Sequence, residues 1–323
     1  MVYMSALPPS WDADEAPTGS VLVTGASGVI GTATVDLLRT RGYDVTAVTS
    51  ADADLRDPRA TETLLQDLVP EFVIHLAARV GGLMGNAHSQ AQMYLENIRI
   101  NTNVIEAAHN AGVRKIVAMG SVAAYPEGLD LPMRETDIWR GAPHASEAGY
   151  AHAKRSMLAQ LEAYNSQYGM DYAFALSTNL FGPSDKFDES GGHVLPSLIS
   201  KFHRAITQGT SVTVWGSGAS TRDFLFSRDA ADALVVLLRD GSGVFNVASG
   251  RQVTIREVVE ELARVTAFDG EILWDPSKPD GQLRRSYDVS RLSSLGWTAK
   301  TPLSVALGET FQWFAENVAN ARR

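Results

Sequence analysis

Tyr150 and Lys154 stand four residues apart in Tyr150-Ala151-His152-Ala153-Lys154, inside a stretch patterned as a helix. They therefore project from one helix face. An ammonium beside a phenol favours the phenolate and lowers a pKa that starts at about 10. Such a tyrosine can give a proton to a carbonyl oxygen as hydride reaches the carbon, or take one in reverse. The carbonyl then needs a second hydrogen-bond donor from another element. Ser121, in Gly120-Ser121 at the end of a predicted strand, is the candidate. A lone Y-x-x-x-K is common by chance, so its weight depends on what accompanies it.

What accompanies it is a place for a hydride carrier. Gly25-Ala26-Ser27-Gly28-Val29-Ile30-Gly31 follows a β-branched run and opens a helical stretch. Gly25 permits a tight turn, Gly28 lets the backbone approach a pyrophosphate, and Gly31 allows the helix to lie close to the strand. The helix N-terminus attracts the anion, with Ser27, Val29 and Ile30 beside it. After the second strand comes Thr49-Ser50, a neutral tip able to donate to phosphate. An acid at that tip would bind a ribose 2′-hydroxyl instead, so NADP is favoured, with NAD as the alternative. Asp54 is expected near the adenine or as the N-cap of the helix at Pro58. Leu55, and Leu76, Ala77 and Ala78 after the third strand, complete the candidate cofactor contacts.

The elements that must position these groups alternate strand and helix. Predicted strands are Val21–Thr24, Tyr43–Val48, Phe72–Leu76, Lys115–Met119 and Tyr172–Leu176. Helices run from Val29 to about Arg41, Pro58 to Val69, about Ala87 to Ala111, and Ser146 to Gln167. This order, with continuous apolar strands, implies an α/β fold with a doubly wound parallel sheet. Right-handed crossovers bring every strand's C-terminal end to one edge, so chemistry is expected after Gly25, Ala77, Gly120 and Ser177. Beyond Asn179 the loops lengthen and the strand pieces Val212–Trp215 and Glu271–Trp274 are short. The expected division is a flexible leader (1–19), a dinucleotide-binding domain (20–178 with about 224–249), and a smaller C-terminal α/β substrate domain (179–223 and 250–323).

Composition narrows the partners. The 323 residues carry a formal net charge of -9, which disfavours nucleic acid, and contain no cysteine, which excludes disulfides and thiol chemistry. No apolar run approaches the ~18 residues that cross a membrane, and the first nineteen residues lack a signal-peptide pattern. The expected location is cytoplasmic. No His, Asp and Glu cluster has metal-ligand spacing, so no metal is expected.

In combination, Gly25-x-x-Gly28-x-x-Gly31, Ser121 and Tyr150-x-x-x-Lys154 resemble the extended short-chain dehydrogenase/reductases, whose fold is Rossmann-like. Further segments resemble the GDP-L-fucose synthase family. They are His75-Leu76-Ala77-Ala78-Arg79-Val80-Gly81-Gly82, Leu131-Pro132-Met133 with Glu135, and Thr178-Asn179-Leu180-Phe181-Gly182-Pro183. Gly192-His193-Val194-Leu195-Pro196, Val214-Trp215-Gly216-Ser217-Gly218 and Ser277-Lys278-Pro279-Asp280-Gly281 complete the set. That family epimerises C3 and C5 of GDP-4-keto-6-deoxymannose and then reduces C4 with NADPH. The resemblance implies that Ser121, Tyr150 and Lys154 form the reductase triad and that His193 is the epimerisation acid. It also implies that Asn179, Val194, Lys201, Trp215 and Arg222 contact the nucleotide sugar, with Arg285 near a further phosphate-binding cation. Its two long helices resemble those of a four-helix homodimer interface.

The departures matter as much. The family places a cysteine two residues after the serine as epimerisation base; in Gly120-Ser121-Val122-Ala123 that position is Ala123. A methyl group carries no proton, and inverting a carbon beside a carbonyl needs two titratable groups. Glu127 and His144, between the serine and the tyrosine, are conceivable replacements, though surface placement suits them better. The family's basic residues after the second strand are also missing. The expectation is an NADP-dependent 4-ketoreductase of a nucleotide-linked, GDP-type 4-keto-deoxysugar, without 3,5-epimerase activity. The alternatives are a full synthase with a replacement base, an NAD-retaining nucleotide-sugar 4-epimerase, and a non-catalytic dinucleotide-sensing protein.

Overall fold

The computed structural model describes residues 19–81, 88–189, 192–277 and 284–322. Positions 1–18 of the expected leader, Gly82, the expected helix start at Ala87 and Lys278-Pro279-Asp280-Gly281 lie outside the described residues.

Six strands form one parallel sheet: β1 (Ser20–Thr24), β2 (Asp44–Val48), β3 (Phe72–His75), β4 (Lys115–Met119), β5 (Asp171–Ser177) and β10 (Gly243–Val247). The spatial order is β2-β1-β3-β4-β5-β10, and β1 lies between β2 and β3: Val21 pairs with Val45 on one side and Phe72 on the other. The first three crossovers contain α1 (Val29–Thr40), α2 (Pro58–Leu68) and α3 (Gln90–Asn110). The fourth contains α4 (Ala148–Tyr168). Strand positions were legible because buried parallel strands read as unbroken apolar runs. Ends moved by one to three residues, since a terminal turn depends on its cap. Thus Asp57, whose carboxylate accepts from the Arg59 and Ala60 amides, caps α2. Asp54, for which the cap was one of two expected places, instead pairs with Arg56 at 2.8 Å.

Both sheet faces are covered. Val23, Ile74 and Val117 point toward α1 and α6 (Ser227–Asp240), while Leu22, Val73 and Ile116 point toward α3 and α4. A third apolar cluster lies outside the sheet. It gathers Phe181 of β6 (Asn179–Phe181), Leu198 and Phe202 of α5 (Val194–Gln208), and Val212 and Val214 of β7 (Val212–Trp215). Val258 and Leu262 of α7 (Ile255–Thr266) and Phe314 of α8 (Leu303–Asn317) close it. Short pairings link this region to itself: β8 (Thr221–Arg222) with β11 (Val253–Thr254), β7 with β12 (Ile272–Asp275), and β6 with β9 (Phe224–Phe226). Among the described residues no helix is long and apolar enough to cross a membrane.

Asn246 of β10 ties the sheet to the long segment between β4 and α4. It is fully buried, and its Oδ1 accepts from the Tyr125 hydroxyl at 2.7 Å. Its Nδ2 donates to the Met133 and Asp288 carbonyls, and its amide donates to Glu135 Oε1. Burial raises the pKa of Glu135 above the usual carboxylate range, against the backbone hydrogen bonds that lower it. Met133 also exchanges backbone bonds with Ser286 and Asp288, which carries Arg285 to the sheet's C-terminal edge. Replacing Asn246 by Ala strands the Tyr125 hydroxyl and two buried carbonyls. Chemical denaturation of Asn246→Ala is expected to show about 2–3 kcal/mol lost stability.

Candidate active site

The glycine turn sits on the sheet's C-terminal edge, where β1 lies between β2 and β3. Gly25 has φ +69°, and a Cβ there would come within 2.7 Å of the Ala77 amide nitrogen, so only glycine lets β1 turn against the end of β3. Leu76, Ala77 and Ala78 are thereby placed beside the turn, with the Leu76 and Ala77 amides donating to the Thr24 hydroxyl. Gly28 is the N-cap of α1 and provides no side-chain cap, so the first-turn amides, where Val29, Ile30 and Gly31 lie, are open to an anion. Ser27 is exposed over them and Ile30 is buried beneath. The Ala26 amide donates to the Val48 carbonyl at 3.1 Å, which docks this turn on the end of β2 next to Thr49 and Ser50. Leu55 is buried, so among the residues after β2 it serves the core as well.

Under that edge runs a buried polar chain. The Thr24 hydroxyl lies 2.8 Å from His75 Nδ1, and His75 Nε2 lies 3.2 Å from Asn101 Oδ1. An amide oxygen can only accept, so Nε2 carries the proton and the ring is neutral. Burial, reinforced by the charge of Lys154, pushes the imidazole down to about 3. His75 is thus a structural link, as a strand histidine should be.

The triad converges across β4 and α4. Ser121 follows Gly120 at the end of β4, and its hydroxyl is within hydrogen-bonding reach of the Tyr150 phenol. It also accepts from the Ala123 amide at 3.2 Å. Lys154 is 2% exposed, donates to the Met119 carbonyl at 2.7 Å and lies 5.7 Å from the centre of the Tyr150 ring. Gly149 allows the start of α4 to press on α3, since a Cβ there would overlap the Gln90 carbonyl oxygen. Gln90 returns the contact, accepting from the Gly149 amide at 3.0 Å.

One electrostatic expectation is reversed. Desolvation outweighs the pull of the amine and drives both groups toward neutrality. Burial pushes Tyr150 above its ordinary value, against the Ser121 hydrogen bond, and pulls Lys154 down to about 7.

One residue that sequence reasoning passed over acts on this site. Glu147, three positions before Tyr150, lies close enough for its charge to raise the pKa of both Tyr150 and His193. His193, the N-cap of α5, is solvent-exposed yet ringed by protein; desolvation lowers its pKa, Glu147 opposes this and Lys186 adds to it. A half-buried carboxylate one turn before a catalytic-type tyrosine was the available signal for Glu147. By contrast, His144 and Glu127 pair with each other at 3.2 Å in the connecting segment.

Ala123 is buried at 6% exposure in a short 3-10 turn, Val122–Ala124. Arg285 reaches the same turn, its Nη1 3.4 Å from the Val122 carbonyl, and hydrogen-bonds Tyr287. Arg222 is near enough for its charge to oppose the rise that burial gives Tyr287. Asn179 donates to the Asp223 carbonyl at 3.0 Å. Lys201 and Trp215 form their own pair on the C-terminal region: the ammonium sits 5.0 Å from the indole centre and donates to the Thr213 carbonyl. Trp215 is 49% exposed and Val194, which opens α5, 44%, so both present apolar surface to solvent.

An anion-binding turn beside a serine, a phenol and a buried lysine defines an NAD(P)-dependent oxidoreductase. The model of the NAD dependent epimerase/dehydratase family matches residues 21–248. A probable GDP-L-fucose synthase 1 of Oryza sativa subsp. japonica is 38% identical over 94% of this chain and 94% of its own length. A GDP-L-fucose synthetase from Naegleria fowleri, solved bound to NADP, has 32% identity and a TM-score of 0.89, covering 94% of this chain and 95% of that one. A GDP-6-OMe-4-keto-L-xylo-heptose reductase from C. jejuni has 27% identity and a TM-score of 0.87, covering 93% and 98%. The chain belongs to the GDP-L-fucose synthase family, within the NAD dependent epimerases and dehydratases.

The lysine titration gives a signed expectation. Below about 7 Lys154 is charged and stabilises the phenolate left when Tyr150 gives up its proton; above that it is neutral. Carbonyl-reduction kcat/KM should therefore fall as pH rises through this range. Lys154→Arg, charged throughout, should lose the inflection. Tyr150→Phe should lose roughly 10²–10⁴ of the rate with its circular dichroism unchanged.

Proposed function

We propose that the protein is a cytoplasmic, NADP-dependent 4-ketoreductase of a GDP-linked 4-keto-deoxysugar and that it lacks the 3,5-epimerase half of its family's reaction. The observation that carries the second clause is Ala123: a buried methyl group two residues after Ser121, in a chain without a single cysteine. The C. jejuni neighbour, whose name describes a reductase alone, supports the same division.

The open first-turn amides of α1, the Gly25 cradle and the edge residues Leu76 to Ala78 fit a dinucleotide, and NADPH bound there supplies hydride. The chain's own residues do the rest. Ser121 donates to the keto oxygen, Tyr150 transfers its proton to that oxygen, and Lys154 stabilises the resulting phenolate. Arg222 and Lys201 hold the diphosphate, Arg285 binds at the sugar end beside Val122, and Asn179, Val194 and Trp215 line the cleft. The substrate is held between the sheet edge and residues 179–223 and 250–323.

A second reading, the complete synthase, draws support from Glu147, whose charge acts on His193 and whose carboxylate would be the second proton carrier. Incubating enzyme and 4-keto substrate in deuterated water without NADPH separates the two. No deuterium at C3 or C5 is expected; incorporation that disappears in Glu147→Gln would establish the second reading.

We also propose a homodimer through α3 and α4. These helices pack along each other, and Tyr94 and Leu95 of α3 are exposed. Light scattering should give a mass of about two chains.

A further inference from the structure

The turn after β2 carries acids and no base. Between Arg41 and Arg56 the sequence holds Asp44, Asp52 and Asp54 but neither lysine nor arginine. In the structure this turn closes on itself. Asp52 Oδ2 accepts from the Thr49 amide at 2.8 Å and from the Thr49 hydroxyl at 2.8 Å. The Asp52 amide returns to the Thr49 carbonyl at 3.1 Å. These bonds hold the Asp52 carboxyl below its ordinary pKa, so it is ionised at neutral pH. The next cation along the chain, Arg56, is engaged by Asp54 at 2.8 Å and by Glu96 at 3.3 Å. Glu96 in turn binds Arg79 at 2.5 Å.

The position of the turn gives these contacts a consequence. The bond from Ala26 to Val48 sets the glycine turn against the end of β2, so Thr49 and Asp52 border the adenosine end of the groove. In this fold the ribose 2′ position lies at that strand tip, where a carboxylate accepts from a 2′-hydroxyl and a cation accommodates a 2′-phosphate. The neutral tip expected from Thr49-Ser50 is therefore a charged one: the acid stands two residues further on and folds back.

We propose that Asp52 sets the choice between 2′-hydroxyl and 2′-phosphate dinucleotides, and that it makes this chain accept NAD(H) on near-equal terms with NADP(H). A 2′-phosphate placed at this turn meets an ionised carboxylate and finds the Thr49 donors already taken. A 2′-hydroxyl can donate to the carboxylate and competes for neither. The inference rests on the reductase reading only for the identity of the groove, and binding is therefore measured apart from turnover.

The test is equilibrium binding of NADP+ and NAD+ to the full chain, followed by quenching of tryptophan fluorescence. The two Kd values should lie within about tenfold of each other. Asp52→Asn keeps the oxygen that accepts from Thr49 and removes the charge. It should tighten NADP+ by about three- to tenfold and leave NAD+ within about twofold. Thr49→Arg should tighten NADP+ by more than about tenfold. NADP+ bound about a hundredfold more tightly than NAD+ by the unaltered chain would overturn the proposal, as would Asp52→Asn moving both ligands by one factor. Failure to bind either dinucleotide overturns it together with the reductase reading. The expected ratios without turnover of a keto-sugar uphold it and sink that reading alone.

Discussion

Two adjacent buried cations hold the site together. Lys154 donates to the Met119 carbonyl, the last of β4, and Arg155 donates to the Ala124 and Gly141 carbonyls, each at 2.8 Å. These acceptors bracket the Ser121 turn, so α4 is fastened to the chain on both sides of the serine that Tyr150 must meet. Taking such groups out of water costs several kcal/mol each, and backbone carbonyls that would otherwise be unsatisfied offset part of it. The compensation is incomplete, since Arg155 Nη2 is buried without a hydrogen-bond partner. The same burial makes Lys154 titratable near neutrality. Anchoring and proton chemistry are thus two consequences of one desolvated helix face.

That arrangement separates two kinds of proton transfer. Protonating a carbonyl oxygen needs a single donor in a fixed place, and Ser121, Tyr150 and Lys154 are gathered on rigid elements. Inverting a neighbouring carbon needs groups on both faces of the sugar ring. His193 caps α5, while a methyl group fills the 3-10 turn whose Val122 carbonyl Arg285 reaches.

The central sheet was legible because its signals are local. Val21-Leu22-Val23 and Phe72-Val73-Ile74 are buried on both faces, and continuous apolar runs say so without reference to partners. The glycine turn and the spacing of Tyr150 and Lys154 are equally local: they follow from backbone sterics and from the helical repeat. The boundary errors and the misassigned cap at Asp54 arose where one side chain among several aspartates takes an amide, a choice made by turn geometry.

Sequence alone determined that a strand must end in an anion-binding turn, that a phenol and an amine share a helix face, and that no thiol exists anywhere in the chain. Only the tertiary structure decided that burial would override the attraction between Tyr150 and Lys154, that Asp52 would fold onto Thr49, and that Arg285 would cross 163 residues to reach Val122. Periodicity and residue type describe what a segment can present. Solvation and the partner at each site depend on groups brought together from distant parts of the chain, so they exist only once the chain has folded.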